Sequence, residues 1–385
     1  MIKFQILILF TSIVTPAFHS CASDESISEV IQTPDPSQVQ YKMPDESEPH
    51  EGTWLQWPHQ YQHGVSYRND LDDTWIAMTN ALQSTEKVHI IAYDLVEQAR
   101  IINLLKKAGV SLVNIDFKIH RTDDVWVRDN GPIYVRDAQG KLVIEDWGFN
   151  GWGGKYDSAN CDAIPTAIGV DTGMAVLNLN NIMVNEGGSV ELDGHGVLMA
   201  TKSSIISQKP KNSIRNKGMS QAQAESNFTK YLGATKFIWL EGGFSEEDVT
   251  DMHIDGIVKF ASGNKMITMS DSDLSNWGLI DSDIAILKSA SNAKNEVYTK
   301  VILPLTQGNV TTKTGIALGY KGSYINFYVA NGKVLVPNYN DPNDAVANKI
   351  IEELYPGRKV IGIDVRNLYA NGGMVHCVTQ QQPLQ

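Results

Sequence analysis

Apolar residues recur along this 385-residue chain with two alternating periods, and the alternation points to mixed architecture. Leu71, Trp75, Met78 and Leu82 share one helical face. The continuous apolar run VHIIAY, residues 88–93, predicts a buried strand. Asp94 followed by Glu97 is a capping-box signature for a helix that runs through IINLLKK and stops at Gly109. LVNIDFKI, 112–119, predicts a second strand. PIYVRDAQGKLVIEDW predicts a hairpin around Ala138-Gln139-Gly140, and YINFYVANGKVLVPNY one around Asn331-Gly332. Asn-Gly favours a type I′ turn. Residues 343–355, with Ala345, Ile350, Ile351 and Leu354, predict an amphipathic helix ended by Pro356-Gly357, and KVIGIDV returns as a strand. So many hairpins exceed what a doubly wound parallel sheet needs. The pattern predicts α/β units repeated around a centre, with a period too weak to read from the primary repeat. From Met43 onward there is no long linker or low-complexity run, so one compact domain is expected over 41–385.

The N-terminus reads differently. Residues 1–22 combine Lys3, an apolar stretch from Phe4 to Val14, Pro16, and small residues Ser20 and Ala22. This is the layout of a signal peptide, too short to span as a mature helix. Cys21 is an alternative acylation site for a lipoprotein anchor, although Phe18-His19-Ser20 is a poor lipobox. Residues 23–40 are polar, contain two prolines and read as a tether. The expected location is therefore exported and bacterial: periplasmic, secreted or lipid-anchored. The net charge of -12 argues against nucleic acid or an anionic membrane as the main partner and tolerates a cationic substrate. Three cysteines, Cys21, Cys161 and Cys377, are too few for a disulfide scaffold.

Four polar, glycine-rich clusters follow strand-like runs: DDVWVRDNGP, NEGGSVELDGHG, WLEGGFSEEDVTDMHIDG and NGGMVHCVTQQQ. Loops at strand ends are where sites concentrate. In an extended segment His253 and Asp255 would project to one face. Cys377 follows Gly372-Gly373, which permit close approach, and a thiol becomes a strong nucleophile when a cation lowers its pKa. Its alternatives are a buried structural thiol or a bridge to Cys161. Asp129 and Glu186 supply carboxylates, the partners that bind a guanidinium fork with charge assistance. Acids converging on one pocket repel one another, and a bound cation relieves that penalty. For each acid alone the favoured reading is a solvated surface charge or an ion pair with Arg128. His59 and His63 have an i, i+4 spacing that suits zinc, but lie in a loop-like stretch with no further clustered ligand, so no metal is assigned. The EGG runs lack a phosphate-loop Lys-Ser/Thr, and there is no G-x-S-x-G elbow.

These residues carry a resemblance. In the order MPDESEPHEGTWLQWP, DDVWVRDNGP, DWGFNGWGG, NEGGSVELDGHG, HID, YINFYVANGKVLVPNYND and GGMVHCVTQQQP, the chain resembles agmatine deiminases and the related bacterial-type peptidylarginine deiminases. These belong to the guanidine-modifying (pentein) superfamily, and the match covers almost all of the chain after the leader. The resemblance implies an α/β fold, a five-bladed propeller with pseudo-fivefold symmetry. It also implies roles. Asp129 and Asp255 hold the guanidinium, Glu186 lies against substrate and His253, His253 is the general acid/base, and Cys377 is the nucleophile. Trp126 is similar to an aromatic that lines the substrate chain. The implied reaction is hydrolytic deimination, of agmatine to N-carbamoylputrescine and ammonia, without metal or organic cofactor. The alternatives are an exported peptidylarginine deiminase and a catalytically silent guanidinium-binding lipoprotein. The partner is then a guanidino small molecule or an arginine side chain, with a membrane tether through Cys21 and a homo-oligomer left open. Two positions depart from the family pattern. Asp251-Met252 stand before the His where a Gly, often after Asn, is usual, and Asn371 begins what is usually a Gly triplet.

Overall fold

A computed structural model describes residues 39–245 and 248–385. The leader, Cys21 and the tether as far as residue 38 lie outside the described residues. Sixteen strands are named in chain order. They are β1 (His50–Gln56), β2 (Lys87–Ala92), β3 (Ile115–Ile119), β4 (Ile133–Arg136), β5 (Leu142–Asp146), β6 (Val176–Asn178), β7 (Val190–Leu192) and β8 (Val197–Thr201). They continue with β9 (Lys236–Leu240), β10 (Lys259–Ala261), β11 (Lys265–Thr268), β12 (Thr299–Ile302), β13 (Tyr328–Ala330), β14 (Lys333–Asn338), β15 (Lys359–Asp364) and β16 (Gln380–Pro383).

Among the described residues these strands form five sheets that repeat one pattern. An antiparallel hairpin comes first, then a helix, then a strand parallel to the hairpin's second strand. The units are β4-β5-β6, β7-β8-β9, β10-β11-β12 and β13-β14-β15. The fifth sheet joins the chain's ends: β16 pairs antiparallel with β1, which pairs parallel with β2, extended by β3. A parallel return needs a crossover, and helices supply it. They include Gln60–Leu82 before β2, Ile164–Thr172 before β6, Gln221–Leu232 before β9 and Asn343–Leu354 before β15. This is the α/β arrangement of five pseudo-symmetric blades.

Most predicted elements fall where the pattern placed them. Leu71, Trp75, Met78 and Leu82 are fully buried on the first long helix. Asp94 caps helix Leu95–Lys107, accepting from the Glu97 amide at 2.8 Å. The capping box is only half made, because the Glu97 carboxylate turns to Arg68 (2.8 Å) and Arg100 (2.6 Å). The strand expected from Leu112 begins at Ile115, since Leu112 accepts from the Ile115 amide in a turn. At Asn331-Gly332 only the glycine has positive φ (66°), so the turn is not type I′. Asn331 is committed elsewhere: its side chain takes the His50 amide at 3.0 Å and donates to the His50 carbonyl at 2.8 Å. That pairing, an edge contact with β1, outweighs the local turn preference.

Candidate functional site

The segment leading into a blade's first strand carries the polar residues, and the repeat places them alike. Asp129 precedes β4 at Ile133, Glu186 precedes β7 at Val190, Asp255 precedes β10 at Lys259, and His376 precedes β16 at Gln380. Each stands the same number of residues ahead of its strand. A pseudo-symmetric ring therefore delivers these side chains from different blades to one centre. The shared offset is the sequence signal that finds His376, which carried no assigned role.

The five candidate residues Asp129, Glu186, His253, Asp255 and Cys377 do converge. His253 Nε2 lies 2.7 Å from Glu186 Oε2, and Nδ1 lies 3.5 Å from Asp129 Oδ1. Cys377 Sγ is 3.8 Å from Asp255 Oδ2. Gly188 forms the floor: a Cβ there would stand 2.7 Å from His253 Nδ1, 2.8 Å from Asp129 Oδ1 and 3.1 Å from Asp255 Oδ2. Its amide donates to Asp129 Oδ1 at 3.2 Å, so the close approach that only glycine permits also orients an acid. His253 and Asp255 are not on a strand as expected. Residues 254–256 make a single tight helical turn, and His253 enters it in extended geometry. The two side chains reach the centre through that turn, not through strand alternation.

Residues missed by sequence reasoning complete the site. Asn326 Oδ1 accepts from the amides of His376 (2.9 Å) and Cys377 (3.3 Å) and lies 3.4 Å from Cys377 Sγ. His376 Nδ1 lies 2.9 Å from Asp255 Oδ2, and Nε2 lies 2.8 Å from Glu46 Oε2. Lys259 anchors Glu46 at 3.0 Å. Trp152 Nε1 donates to Asp129 Oδ2 at 3.0 Å, and Arg215 pairs with Glu186 at 2.9 Å. Trp126, which the sequence did single out, is buried with its ring against Gly373, which leads into the Cys377 segment.

Other candidates lie elsewhere. Asp124 pairs with His63 (3.2 Å) and Tyr67 (3.1 Å). Asp123 accepts from the amides of Asn160 and Cys161. His59 faces the Thr122 carbonyl at 3.0 Å and caps its own helix. His59 and His63 thus have separate partners, and no cluster of three metal-ligating side chains occurs among the described residues. The second EGG run stays off the site, with Glu241 exposed beside Lys202. Arg128 does not pair with Asp129; it approaches Glu46 at 3.8 Å. Cys161 and Cys377 are both free, and burial pushes the Cys161 thiol up to about 12.

The electrostatics are uneven. Burial raises the Asp129 carboxyl to about 6, and the neighbouring Glu186 and Asp255 add to it against the opposing pull of His253. Burial acts on Asp255 in the same direction, but its bond to His376 reverses the sign and holds it below the usual range. For Glu186 burial is likewise overcome, by Arg215 and His253, and the net shift is downward. His253 is held up to about 9: burial opposes its charge, but Asp129, Glu186 and Asp255 outweigh it. Burial, then Asp255 and Asp129, push the Cys377 thiol well above its ordinary value. Of the two cations expected to lower it, a neighbouring imidazolium and the substrate, the first does not offset the burial and the two acids. The centre is acid-rich, and no Lys or Arg forms an ion pair with Asp129 among the described residues. A cation brought between Asp129 and Asp255 would neutralise the groups that hold the thiol protonated.

The chain belongs to the Porphyromonas-type peptidyl-arginine deiminase family, whose model matches residues 42–383. A Selenomonas ruminantium protein provisionally named an agmatine deiminase is 30% identical over 365 residues, covering 89% of this chain and 96% of its own. The agmatine deiminase of Pseudomonas aeruginosa strain LESB58 is 29% identical over 367 residues, covering 89% and 95%. Among solved structures, a Porphyromonas gingivalis protein provisionally named an arginine deiminase superposes with a TM-score of 0.78 at 28% identity, over 89% of this chain and 98% of that one. The fold is that of the penteins.

Proposed function

We propose that this protein hydrolyses a guanidinium group, with agmatine as substrate, giving N-carbamoylputrescine and ammonia through a covalent bond to Cys377. One observation carries the reading: carboxylates from separate blades converge on a free thiol beside an imidazole already in contact with two of them. A planar cation with forked N–H donors answers that arrangement. Held by Asp129 and Asp255, the guanidinium carbon is electrophilic and fixed near the sulfur. Neutralising the two acids lets Cys377 release its proton to solvent, and the thiolate adds to the carbon. His253 gives its proton to the departing nitrogen, ammonia leaves, and a thiouronium adduct remains. His253 then takes a proton from water as its oxygen adds, and the carbon–sulfur bond breaks to give the ureido product and free thiol. Deep burial of the acids and of His253 suits a small guanidine, and curated relatives named agmatine deiminase cover nearly the whole chain.

A second reading, an exported peptidylarginine deiminase, draws on the leader and on the family's description. The leader equally supports export, with or without lipid at Cys21. A ureido-product assay run in parallel on agmatine, free arginine and an arginine-containing peptide separates the two. Product from agmatine that disappears in Cys377→Ala, by about 10^4-fold or more, supports the first; citrulline formed only in the peptide replaces it with the second. Fractionation of the host and the mass of the mature N-terminus test export.

A further inference from the structure

The unusual Asp251-Met252 pair has a place in the structure that is separate from guanidinium binding. Both residues adopt positive φ, 60° and 63°, a region that bulky residues seldom adopt. Met252 turns its methyl group toward Gly243 and Gly278. Asp251 is buried, and its carboxylate is bracketed by two cations. Lys155 Nζ lies 2.8 Å from each of its oxygens, and Arg215 Nη1 donates to Oδ2.

Arg215 is itself buried and fully engaged. Its Nε and Nη2 reach the two oxygens of Glu186 at 2.9 and 3.3 Å, and its remaining donors take the Ser213 and Thr250 carbonyls, both at 3.0 Å. Glu186 in turn contacts His253. A line of alternating charge therefore runs Lys155, Asp251, Arg215, Glu186, His253. Its outer end is fastened to the other side of the site. Asn150 donates to the Arg215 carbonyl at 3.3 Å, and Trp152, in the same segment as Lys155, donates to Asp129. The residues DWGFNGWGG, which had no task of their own, are the buttress.

We propose that Arg215 and Asp251 are positioning residues: Arg215 fixes the Glu186 carboxylate on His253, and Asp251 balances the Arg215 charge so that Glu186 keeps its hold on the imidazole. The inference rests on the assignment of His253 as the acid/base of the proposed reaction. The physical reason is charge balance. Arg215 alone would draw the Glu186 negative charge toward itself and disfavour a second cation at His253. With Asp251 and Lys155 the outer four groups sum to zero. The charged and titratable groups facing His253 are Asp129, Glu186 and Asp255, and Arg215 acts through Glu186.

The test uses full-length protein carrying Asp251→Asn or Asp251→Gly. Both residues accept positive φ, so the backbone is spared while the carboxylate is lost. The first measurement is the titration of His253 by NMR of histidine-labelled protein without substrate, in a Cys377→Ala background, the signal being assigned by its loss in His253→Asn. Loss of Asp251 is expected to lower the midpoint by roughly half a unit to one unit, because a negative charge goes and Arg215 is left unbalanced. The second measurement is the pH profile with agmatine. The alkaline limb is expected to move down in step, with kcat reduced about tenfold and KM changed less. Lys155→Met is expected to move the midpoint up, the opposite way. A folded Asp251→Asn protein with the wild-type midpoint overturns the inference, as does a midpoint that moves only when the protein loses its thermal transition. If the wild-type enzyme leaves agmatine untouched, the proposed function fails while the titration still decides the positioning role.

Discussion

Two imidazoles stand at the site, each between two carboxylates, and they differ in how tightly they are held. His376 lies 2.9 Å from Asp255 and 2.8 Å from Glu46, and Glu46 is anchored by Lys259 (3.0 Å) and by the Val329 amide (2.8 Å). His253 is equally close to Glu186, at 2.7 Å, but stands 3.5 Å from Asp129. The slack is at Asp129, and so is the electrostatic imbalance: its carboxyl is raised to about 6 while that of Asp255 is lowered. The His376 side is a completed network, which fixes one acid and the Cys377 backbone before any ligand arrives. The His253 side is left one cation short. Preorganisation on one flank and unsatisfied charge on the other is what a site needs in order to orient a cation and gain from binding it.

The most severe test replaces each imidazole in turn by asparagine. His253→Asn is expected to lower kcat on agmatine by about 10^3-fold, since the proton donor to the leaving ammonia is lost. His376→Asn is expected to lower kcat only about tenfold through misplaced Asp255, but to cost about 3 kcal/mol of stability by leaving the buried Asp255 carboxylate without its partner. Steady-state assays and denaturant unfolding measure both. Equal kinetic losses would erase the distinction between the two flanks.

A subtler version compares the acids. Asp129→Asn and Asp255→Asn are both expected to reduce kcat/KM by about 10^2-fold, because a charge-assisted contact to the guanidinium goes in each. Their stabilities should diverge. At pH 8 the Asp129→Asn protein should melt no lower than wild type, because a buried, under-compensated charge has been removed. Asp255→Asn should melt several degrees lower, since it strands His376 against Glu46. Melting curves of the substrate-free proteins decide the point.

The sequence carried much of this arrangement, for physical reasons that also mark where it stopped. Asp129, Glu186, His253, Asp255 and Cys377 are readable because each lies in a short glycine-rich segment before a strand, where backbone needs leave a local signature. The hairpin-helix-strand units are readable because burial imposes period. The partners are different. Glu46 and His376 are 330 residues apart, and Cys377 and Asn326 are 51 apart. Such pairs meet only because the ring closes through β16 on β1. No local pattern marks Arg215, whose neighbours in sequence are a polar loop. The Asn331-Gly332 turn shows the same limit from the other side: a strong local preference yielded to a contact with His50 that only closure creates. Thiol chemistry shows it again, since the field at Cys377 comes from Asp255 and Asp129, both on other segments.

The smallest expected effect is the pH dependence, and it separates the two flanks first in the wild-type protein. Asp129, raised to about 6, must be ionised to hold a guanidinium, so kcat/KM should fall about tenfold per unit below that pH. Bound guanidinium stabilises the ionised acid, so the acid limb of kcat should lie lower than that of kcat/KM. The tightly paired Asp255, already lowered, should add no limb near 6. At the other end, His253 must carry its proton, so activity should fall above about 9. The same group fixes a stability window. Its folded pKa of about 9 exceeds the ordinary value of 6.5, so the folded protein holds a proton that the unfolded chain gives up. That contribution, about 3 kcal/mol from the size of the shift, is complete below 6.5 and is lost as pH rises through 9. Unfolding free energies of the substrate-free protein measured from pH 6.5 to 9.5 should therefore decline in wild type and lose most of that decline in His253→Asn. An unchanged decline in the variant would move the titrating group away from His253 and with it the contrast between the loose flank and the tight one.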